Sequence, residues 1–464
     1  MMSQENNTNK VDVPGTNKTA VAIESITADD AEIEVELKSK NAKKRILADE
    51  VAQYLEQEIF IRGFVQGVRS LKAFCFVVVR DRTGTVQALL DNDLRQLAPT
   101  PGSYVEIMGK VVQHPQKKDI FDLLALQIKT LAKPEQDVPF LLNAKPKATL
   151  DHQLDFRAVS LRNPWIATHF KIKALVSKFF REGFEQQGFT EINTPKIVDG
   201  GTEGGAQVFS IDYFDKKVSL AQSPQLYKQI SVAALERVYE IGPVFRAENS
   251  NTSRHLTEFT GLDFEMAFIE DQNDVMDALE KTVRYIFQKI PEIAADELKL
   301  LGKDIFEIDE IPRLSFADAM ELVEKYNIDC EKVTLDKAMG EAILKEFGSR
   351  MAFITNYPRR EKPFYIMTSP KNSNLTESFD LLIDGIEVCS GGQRIHDKQV
   401  LIKSMIMNGL NPENYSGYLQ AFEYGMPPHG GAGLGLERLA QTILGLSNVR
   451  EVTMFPRDVR RTSP

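Results

Sequence analysis

The chain has 464 residues, too many for one ordinary core, which predicts two or three domains. With 42% apolar and 26% charged residues it reads as a soluble globular protein, and a formal net charge of −10 excludes a generic nucleic-acid coat but not a local basic groove. No apolar run approaches a membrane span, MMSQENNTNK lacks a signal-peptide core, and three scattered cysteines (Cys75, Cys330, Cys389) form neither a disulfide framework nor a zinc set, so a reducing cytoplasm is expected.

Residues 1–37 are polar, then acidic (Asp29, Asp30, Glu32, Glu34, Glu36), a composition that predicts disorder. LKSKNAKKR at 37–45 closes this extension (1–45) and reads equally as a solvated helix start or as a contact for nucleic-acid phosphates. Five strand signals follow: EIFIRGFVQGV, KAFCFVVVRD, GTVQALL, SYVEIMGKVVQ and FDLLALQIKTLA, with Arg82-Thr83-Gly84 as a hairpin turn. No helix of consequence interrupts them, so 46–132 is expected to close into a small barrel of the OB-fold type. Pro134, Pro139, Pro146 and Pro164 mark 133–164 as a linker or hinge.

The remainder, 165–464, opens with a helix in which Phe170, Ile172, Leu175, Val176, Phe179, Phe180 and Phe184 recur at helical spacing. Gly188 ends it, and FTEINTPKI follows as a strand that Pro195 confines to an edge or an interface. Helix and strand carry more apolar surface than one edge needs, which predicts a two-fold homodimer. VYEIGPVF and TGLDFEMAF then read as antiparallel strands around a charged loop, FRAENSNTSRHLTEF. In the second strand Leu262, Phe264, Met266 and Phe268 alternate with Gly261, Asp263, Glu265 and Ala267, the signature of one apolar face. Residues 270–350 are mostly helical, and 351–456 return to strands and a last helix, which points to α+β. GGAGLGLERLAQTILGL at 430–446 fails as a dinucleotide fingerprint, whose third glycine would fall on Leu436, and no Gly-Lys-Ser/Thr follows for a phosphate loop. What is left is a glycine-rich strand end opening a helix at Glu437-Arg438, suited to close backbone approach and to an anion, or simply a turn.

FTEINTPKI, then GPVFRAE through EFTGLDFEM, then GLGLERL resemble motifs 1, 2 and 3 of class II aminoacyl-tRNA synthetases. QSPQLYKQ at 222–229 and EVCSGGQRIHD at 387–397 are similar to the aspartate enzymes of archaeal and eukaryotic type, and with the barrel the likeness spans roughly 58–464. The resemblance implies an OB-fold followed by a catalytic domain on an antiparallel sheet flanked by helices. It also implies ATP, Mg2+, L-aspartate and tRNA-Asp as ligands, a cytoplasmic homodimer and no membrane contact.

Its site residues carry over as follows. Glu203, in GTEGGA, would close over the substrate and meet its α-ammonium, assisted by Asp263. Gln225, Leu226, Tyr227 and Lys228 would line the aspartate pocket, with Ser390 and Arg394 facing the amino acid. Arg246 would touch both the substrate carboxylate and the α-phosphate; Ala247 and Glu248 follow it, the latter near adenine or the tRNA end. Arg254, His255 and Leu256 would pack along triphosphate and base. Phe259 would stack on adenine with Arg438 on the other side, and Gly435, Leu436, Glu437 and Arg438 would line the ATP site. Asp380 and Glu387 would hold magnesium with Ser390 alongside. In the barrel, AFCFVVVR and VQALL resemble anticodon-reading strands, with Phe76 stacking a base and Gln87 hydrogen-bonding one; a core role for Phe76 is the alternative.

The chemistry agrees with aspartate. A side-chain carboxylate calls for a guanidinium fork and an ammonium, which Arg394 and Lys228 supply, whereas an asparagine amide would leave those cations unpaired. Asparagine enzymes on this scaffold lack the lysine. An enzyme of relaxed aspartate/asparagine specificity, and a binding protein that has lost catalysis, are the other readings; intact Arg246, Glu387 and Arg438 argue against the last.

Overall fold

The computed structural model describes residues 44–117, 119–199 and 207–463. It divides into two compact units, Met1–Glu135 and Gln136–Pro464.

In the first unit β1 (Glu58–Ser70), β2 (Phe74–Arg80), β3 (Thr85–Asp91), β4 (Tyr104–Gln113) and β5 (Phe121–Ala132) form a closed barrel in the order β1-β2-β3-β5-β4. Period-two alternation decides what is inside: Cys75, Val77 and Val79 are buried, while Phe74, Phe76 and Val78 turn outward. The Asp81 carboxylate accepts from the Thr83 and Gly84 amides and so closes the β2–β3 turn. Phe76 is therefore not a core residue. Val78 pairs with Gln87 across the ladder, which puts Phe76 and Gln87 on one outer face.

The second unit begins inside the expected hinge. Residues 133–164 contain the helices Leu150–Asp155 and Arg157–Ser160, and the buried Arg157 donates to the carbonyls of Met454 at 2.6 Å and Thr453 at 2.7 Å. The later part of that segment is therefore fixed to the unit it precedes. Asn163 caps the helix Pro164–Glu185, accepting from the Trp165 amide, with Pro164 in its first turn. Its stripe of Ile172, Val176, Phe180 and Phe184 is wholly buried among residues of the sheet and of the helix Gln272–Ile293, where Phe184 meets Phe264 at 4.6 Å. This corrects the argument from surplus apolar surface: the stripe is used within the chain, and Ile197 remains as an exposed apolar side chain of FTEINTPKI. That segment is also not one strand. Around Pro195 it splits into β6 (Thr190–Glu191) and β7 (Ile197–Val198), and β7 joins β9 (Lys216–Leu220) and β8 (Ser210–Tyr213) in a small sheet.

The main sheet has eight strands among the described residues. Their order is β12 (Arg313–Ser315), β13 (Met351–Thr355), β14 (Ser378–Ile383), β15 (Ile386–Gln393), β16 (His429–Gly435), β11 (Glu258–Ala267), β10 (Arg237–Phe245), β6. Only the outermost pairs, β12–β13 and β10–β6, are parallel. The strand with one expected apolar face is buried on both: every residue from Gly261 to Ala267 is inside. Leu262, Phe264 and Met266 pack into the helical layer. Asp263 and Glu265 occupy the other face, tolerated there because cations meet them. Phe268 does not continue the apolar row. It lies past the strand end at φ 58° and is exposed.

Candidate active site

A cavity of about 340 Å³ opens over the acid-bearing face of β11, β15 and β16. Its floor is a buried set of two acids and two bases. Glu265 accepts from Arg394 Nε at 2.8 Å and Nη2 at 3.3 Å. Lys228 Nζ lies 2.9 Å from Asp263 Oδ2 and 3.4 Å from Glu265 Oε2, and donates to the carbonyls of Ala432 at 3.0 Å and Phe264 at 3.3 Å. Burial alone would raise the Glu265 carboxyl, but Arg394 and then Lys228 outweigh it and hold it below the usual range. The expectation of cations left open for the substrate needs correcting here. An unpaired buried charge costs several kcal/mol, so each base already has a protein carboxylate. Lys228 lies beneath the floor with acceptors for all its protons, and does not line the cavity. Arg394 does line it, and its Nη1 bonds to none of the described residues.

Helical geometry separates the other residues of QSPQLYKQ. On the helix Gln225–Leu235 successive side chains point about 100° apart. Gln225 reaches the cavity, whereas Leu226 and Tyr227 turn to a second cavity of about 320 Å³ alongside Tyr415 and Tyr418. The expected row of four lining residues is thus reduced to one.

At the other end of the cavity the loop between β10 and β11 supplies Arg246, Glu248, Arg254, His255 and Leu256, with Phe259 at the start of β11. Ala247 is not in the wall. The Arg246 guanidinium lies 5.4 Å from the centre of the Phe259 ring. Burial, then Arg438 and Arg254, push the His255 imidazole below its ordinary value. Arg438 opens the helix Leu436–Ile443 and donates to the Glu387 carbonyl at 3.1 Å. Gly435 and Glu437 line the cavity, but Leu436 points into the core, as its place one residue round the helix requires. Glu437 is a brace: it accepts from the Thr260 amide at 3.0 Å and from Lys173 at 2.7 Å. Three arginines in one cavity wall, with Arg246 over the Phe259 ring, suit a polyphosphate attached to a flat base.

Asp380 and Ser390 face each other across β14 and β15, and Glu387 lies on the same ladder. Burial and then Asp380 raise the Glu387 carboxyl, a repulsion that a divalent cation would relieve. These are oxygen donors only. Among the described residues no cluster of three His, Cys, Asp or Glu is arranged for a metal. An oxygen-only donor set suits Mg2+, which takes one or two carboxylates and completes its shell with water and phosphate. Asp380 itself stands behind the wall, covered by a residue the sequence reading missed. Lys362 donates to Asp380 Oδ1 at 2.7 Å and Ser390 Oγ at 3.3 Å, with its ammonium 4.0 Å from the centre of the Tyr357 ring. Asp336 was missed too. Its carboxylate lies 4.0 Å from Arg254, and burial raises it. Neither residue belongs to a resembling motif: Lys362 follows the single turn Arg359–Glu361, and Asp336 sits in the first turn of the helix Leu335–Phe347. Glu203 and most of the basic run at 37–45 lie outside the described residues.

Comparison with known proteins gives the same picture. A family model for "tRNA synthetases class II (D, K and N)" matches residues 149–459, and one for "OB-fold nucleic acid binding domain" matches 59–131. The aspartate–tRNA(Asp) ligase of Pyrococcus abyssi is 40% identical over 88% of this chain and 96% of its own length. The aspartate–tRNA(Asp/Asn) ligase of Thermus thermophilus is 39% identical over 90% of this chain and 100% of its own. Among solved structures, asparaginyl-tRNA synthetase from Pyrococcus horikoshii complexed with asparaginyl-adenylate aligns with a TM-score of 0.84 at 29% identity, covering 91% of this chain and 100% of that one. A putative aspartyl-tRNA synthetase from Leishmania major gives 0.83 at 30% identity, covering 92% and 96%. With the barrel, the antiparallel sheet and an arginine-lined cavity on motifs 2 and 3, the chain belongs to the class II tRNA synthetases of the D, K and N group.

Proposed function

We propose that the chain is an aspartate–tRNA ligase, which activates L-aspartate with ATP and transfers it to the 3′ end of tRNA-Asp. The observation that carries this reading is the polarity of the cavity. A guanidinium, Arg394, stands at one end with Nη1 bonded to none of the described residues, and Arg246, Arg254 and Arg438 line the other. Aspartate's side chain meets Arg394, its α-carboxylate lies by Arg246, and the triphosphate runs along the arginines with adenine on Phe259. Glu203 and Asp263 take the α-ammonium.

The α-carboxylate oxygen attacks the α-phosphorus of ATP. The bond to the β-phosphate oxygen breaks, and aspartyl-adenylate and pyrophosphate result. The terminal ribose hydroxyl of tRNA, by family analogy the 3′-hydroxyl, then attacks the acyl carbon, and AMP leaves. The substrate is its own nucleophile, so the protein aligns the reactants and neutralises charge that builds on phosphorus. Glu387 and Ser390, which line the cavity, would hold Mg2+ there to neutralise phosphate charge, with Asp380 behind them beside Lys362. Arg246→Ala is expected to lower adenylate formation by about a hundredfold or more, the scale of one transition-state donor, without loss of fold. ATP–pyrophosphate exchange measures this, and near-normal exchange would remove Arg246 from the mechanism.

Exchange with each amino acid tests the choice of aspartate. Charging of tRNA-Asp and tRNA-Asn transcripts tests the acceptor, a needed comparison because the relatives' names divide between Asp and Asp/Asn. We also propose a cytoplasmic homodimer across β6 and the exposed Ile197, with two-fold symmetry. Sedimentation at micromolar concentration is expected to give twice the chain mass; a monomer there would reject this. Among the described residues no helix is long and apolar enough to cross a membrane.

A further inference from the structure

Behind Gln225 runs a chain of buried polar side chains that the reaction does not itself use. His429 is fully buried, and its Nδ1 lies 2.8 Å from the Pro427 carbonyl. A carbonyl only accepts, so Nδ1 carries the proton. Burial pushes this imidazole down to about 4, which leaves it neutral at pH 7 with Nε2 as a bare acceptor. Gln229, also fully buried, places its own Nε2 at 2.9 Å from that atom and is therefore the donor. Its Oε1 must turn the other way, where it accepts from the Tyr418 hydroxyl at 3.1 Å and from Gln225 Nε2 at 3.0 Å. Gln225 is fixed in turn, with Oε1 toward Arg394 Nη2 at 3.4 Å. One main-chain carbonyl thus sets the direction of every link as far as the cavity wall.

We propose that His429 and Gln229 are positioning residues for amino-acid selection, acting through Gln225 on Arg394. This rests on the reading of the cavity as an aspartate site. With the relay intact, Gln225 gives Arg394 a further acceptor and keeps its carbonyl oxygen occupied. If Gln225 flipped, its amide donors would face the guanidinium, donor against donor. Its carbonyl would swing round to Gln229, away from Arg394, and the guanidinium would lose an acceptor that helps to hold it in place. Breaking the relay therefore weakens the hold on the aspartate carboxylate more than on an asparagine amide, and the choice between them narrows.

The test is ATP–pyrophosphate exchange with aspartate and with asparagine, on variants whose fold is checked by thermal melting. His429→Phe keeps the bulk but removes the acceptor. It is expected to narrow the aspartate-to-asparagine ratio of kcat/KM by about tenfold, within the range that unpaired polar groups in a site command. The change is carried by KM for aspartate, with KM for ATP unaltered. His429→Gln, whose single amide can both donate to Pro427 and accept from Gln229, is expected to recover most of the ratio. Gln229→Met makes the same break if His429→Phe does not fold. A folded relay variant with the wild-type ratio overturns the proposal, as does a His429→Gln protein as impaired as His429→Phe. A wild-type protein that activates no aspartate overturns instead the assignment of the cavity.

Discussion

Lys228 holds two carboxylates and two carbonyls on one ammonium, so its removal has two separable consequences. Lys228→Leu leaves Asp263 and Glu265 with Arg394 as the one remaining base of the buried set. Breaking such a set by deleting one partner destabilises by about 3–5 kcal/mol, and the melting temperature is expected to fall accordingly. The second consequence is in selection. Without the lysine, Arg394 is drawn further onto the two acids and holds a substrate carboxylate less well. Aspartate use then falls more than the already poor use of asparagine, and the ratio narrows. A variant with wild-type melting and wild-type aspartate kinetics would make Lys228 a bystander. The sequence announced these charges but not their pairing, because Arg394 and Glu265 stand 129 residues apart. Lys362 lies in an irregular segment with no pattern to mark it, and Asp336 lies in the first turn of a helix, where an acid reads simply as a partner of the helix dipole.

At the scale of elements, β16 shows why the glycine-rich stretch is more than a turn. A Cβ on Gly431 would stand 2.2 Å from the Phe264 carbonyl and 2.3 Å from Glu265 Oε2. A backbone oxygen cannot swing aside, so β11 and β16 would have to part just where Glu265 anchors Arg394. Gly431→Ala is expected to destabilise by about 1–3 kcal/mol, the usual penalty of overpacking, and to weaken aspartate binding. Gly433→Ala, whose Cβ would meet the Asp263 carboxylate at 2.9 Å, is expected to do less because a side-chain end can move. Thermal melts of the pair check this, and an unchanged Gly431→Ala protein would refute it. Elements whose burial follows a simple period were readable, among them all five barrel strands and the helix Pro164–Glu185. β11 was half readable. Its inner acids look like a solvent face, since a buried face neutralised by distant bases has the same local pattern as a wet one. FTEINTPKI was placed correctly at an edge, since β6 ends the main sheet, but it is two short strands and not one. Residues 133–164 read as a hinge because prolines interrupt regular structure there, yet prolines do not mark where packing ends.

For the whole molecule, two units imply two recognitions that separate in assay. Activation is proposed to rest on the groups around the cavity of the second unit, and acceptor choice on the outer face of the barrel. There Phe76 is half-buried on β2, and Gln87 donates through Nε2 to Asp122 Oδ1 at 3.2 Å. That bond turns Gln87 Oε1 into the free end, so Gln87 is set to accept from a base while Phe76 offers a face for stacking. Base–aromatic stacking is worth about 1–3 kcal/mol per base, and Phe76→Ala is therefore expected to lower kcat/KM for tRNA charging by roughly fivefold to a hundredfold. Gln87→Ala is expected to act in the same direction. Both are expected to leave ATP–pyrophosphate exchange at the wild-type rate, because no bond in the barrel is needed to align aspartate with ATP. Asp122→Asn is the sharper variant. Its side chain can reverse, release Gln87, and blur the choice among bases without removing any contact surface. Equal losses in charging and exchange for all three variants would show that these residues hold the fold, and acceptor recognition would then have to be sought on another face of the barrel.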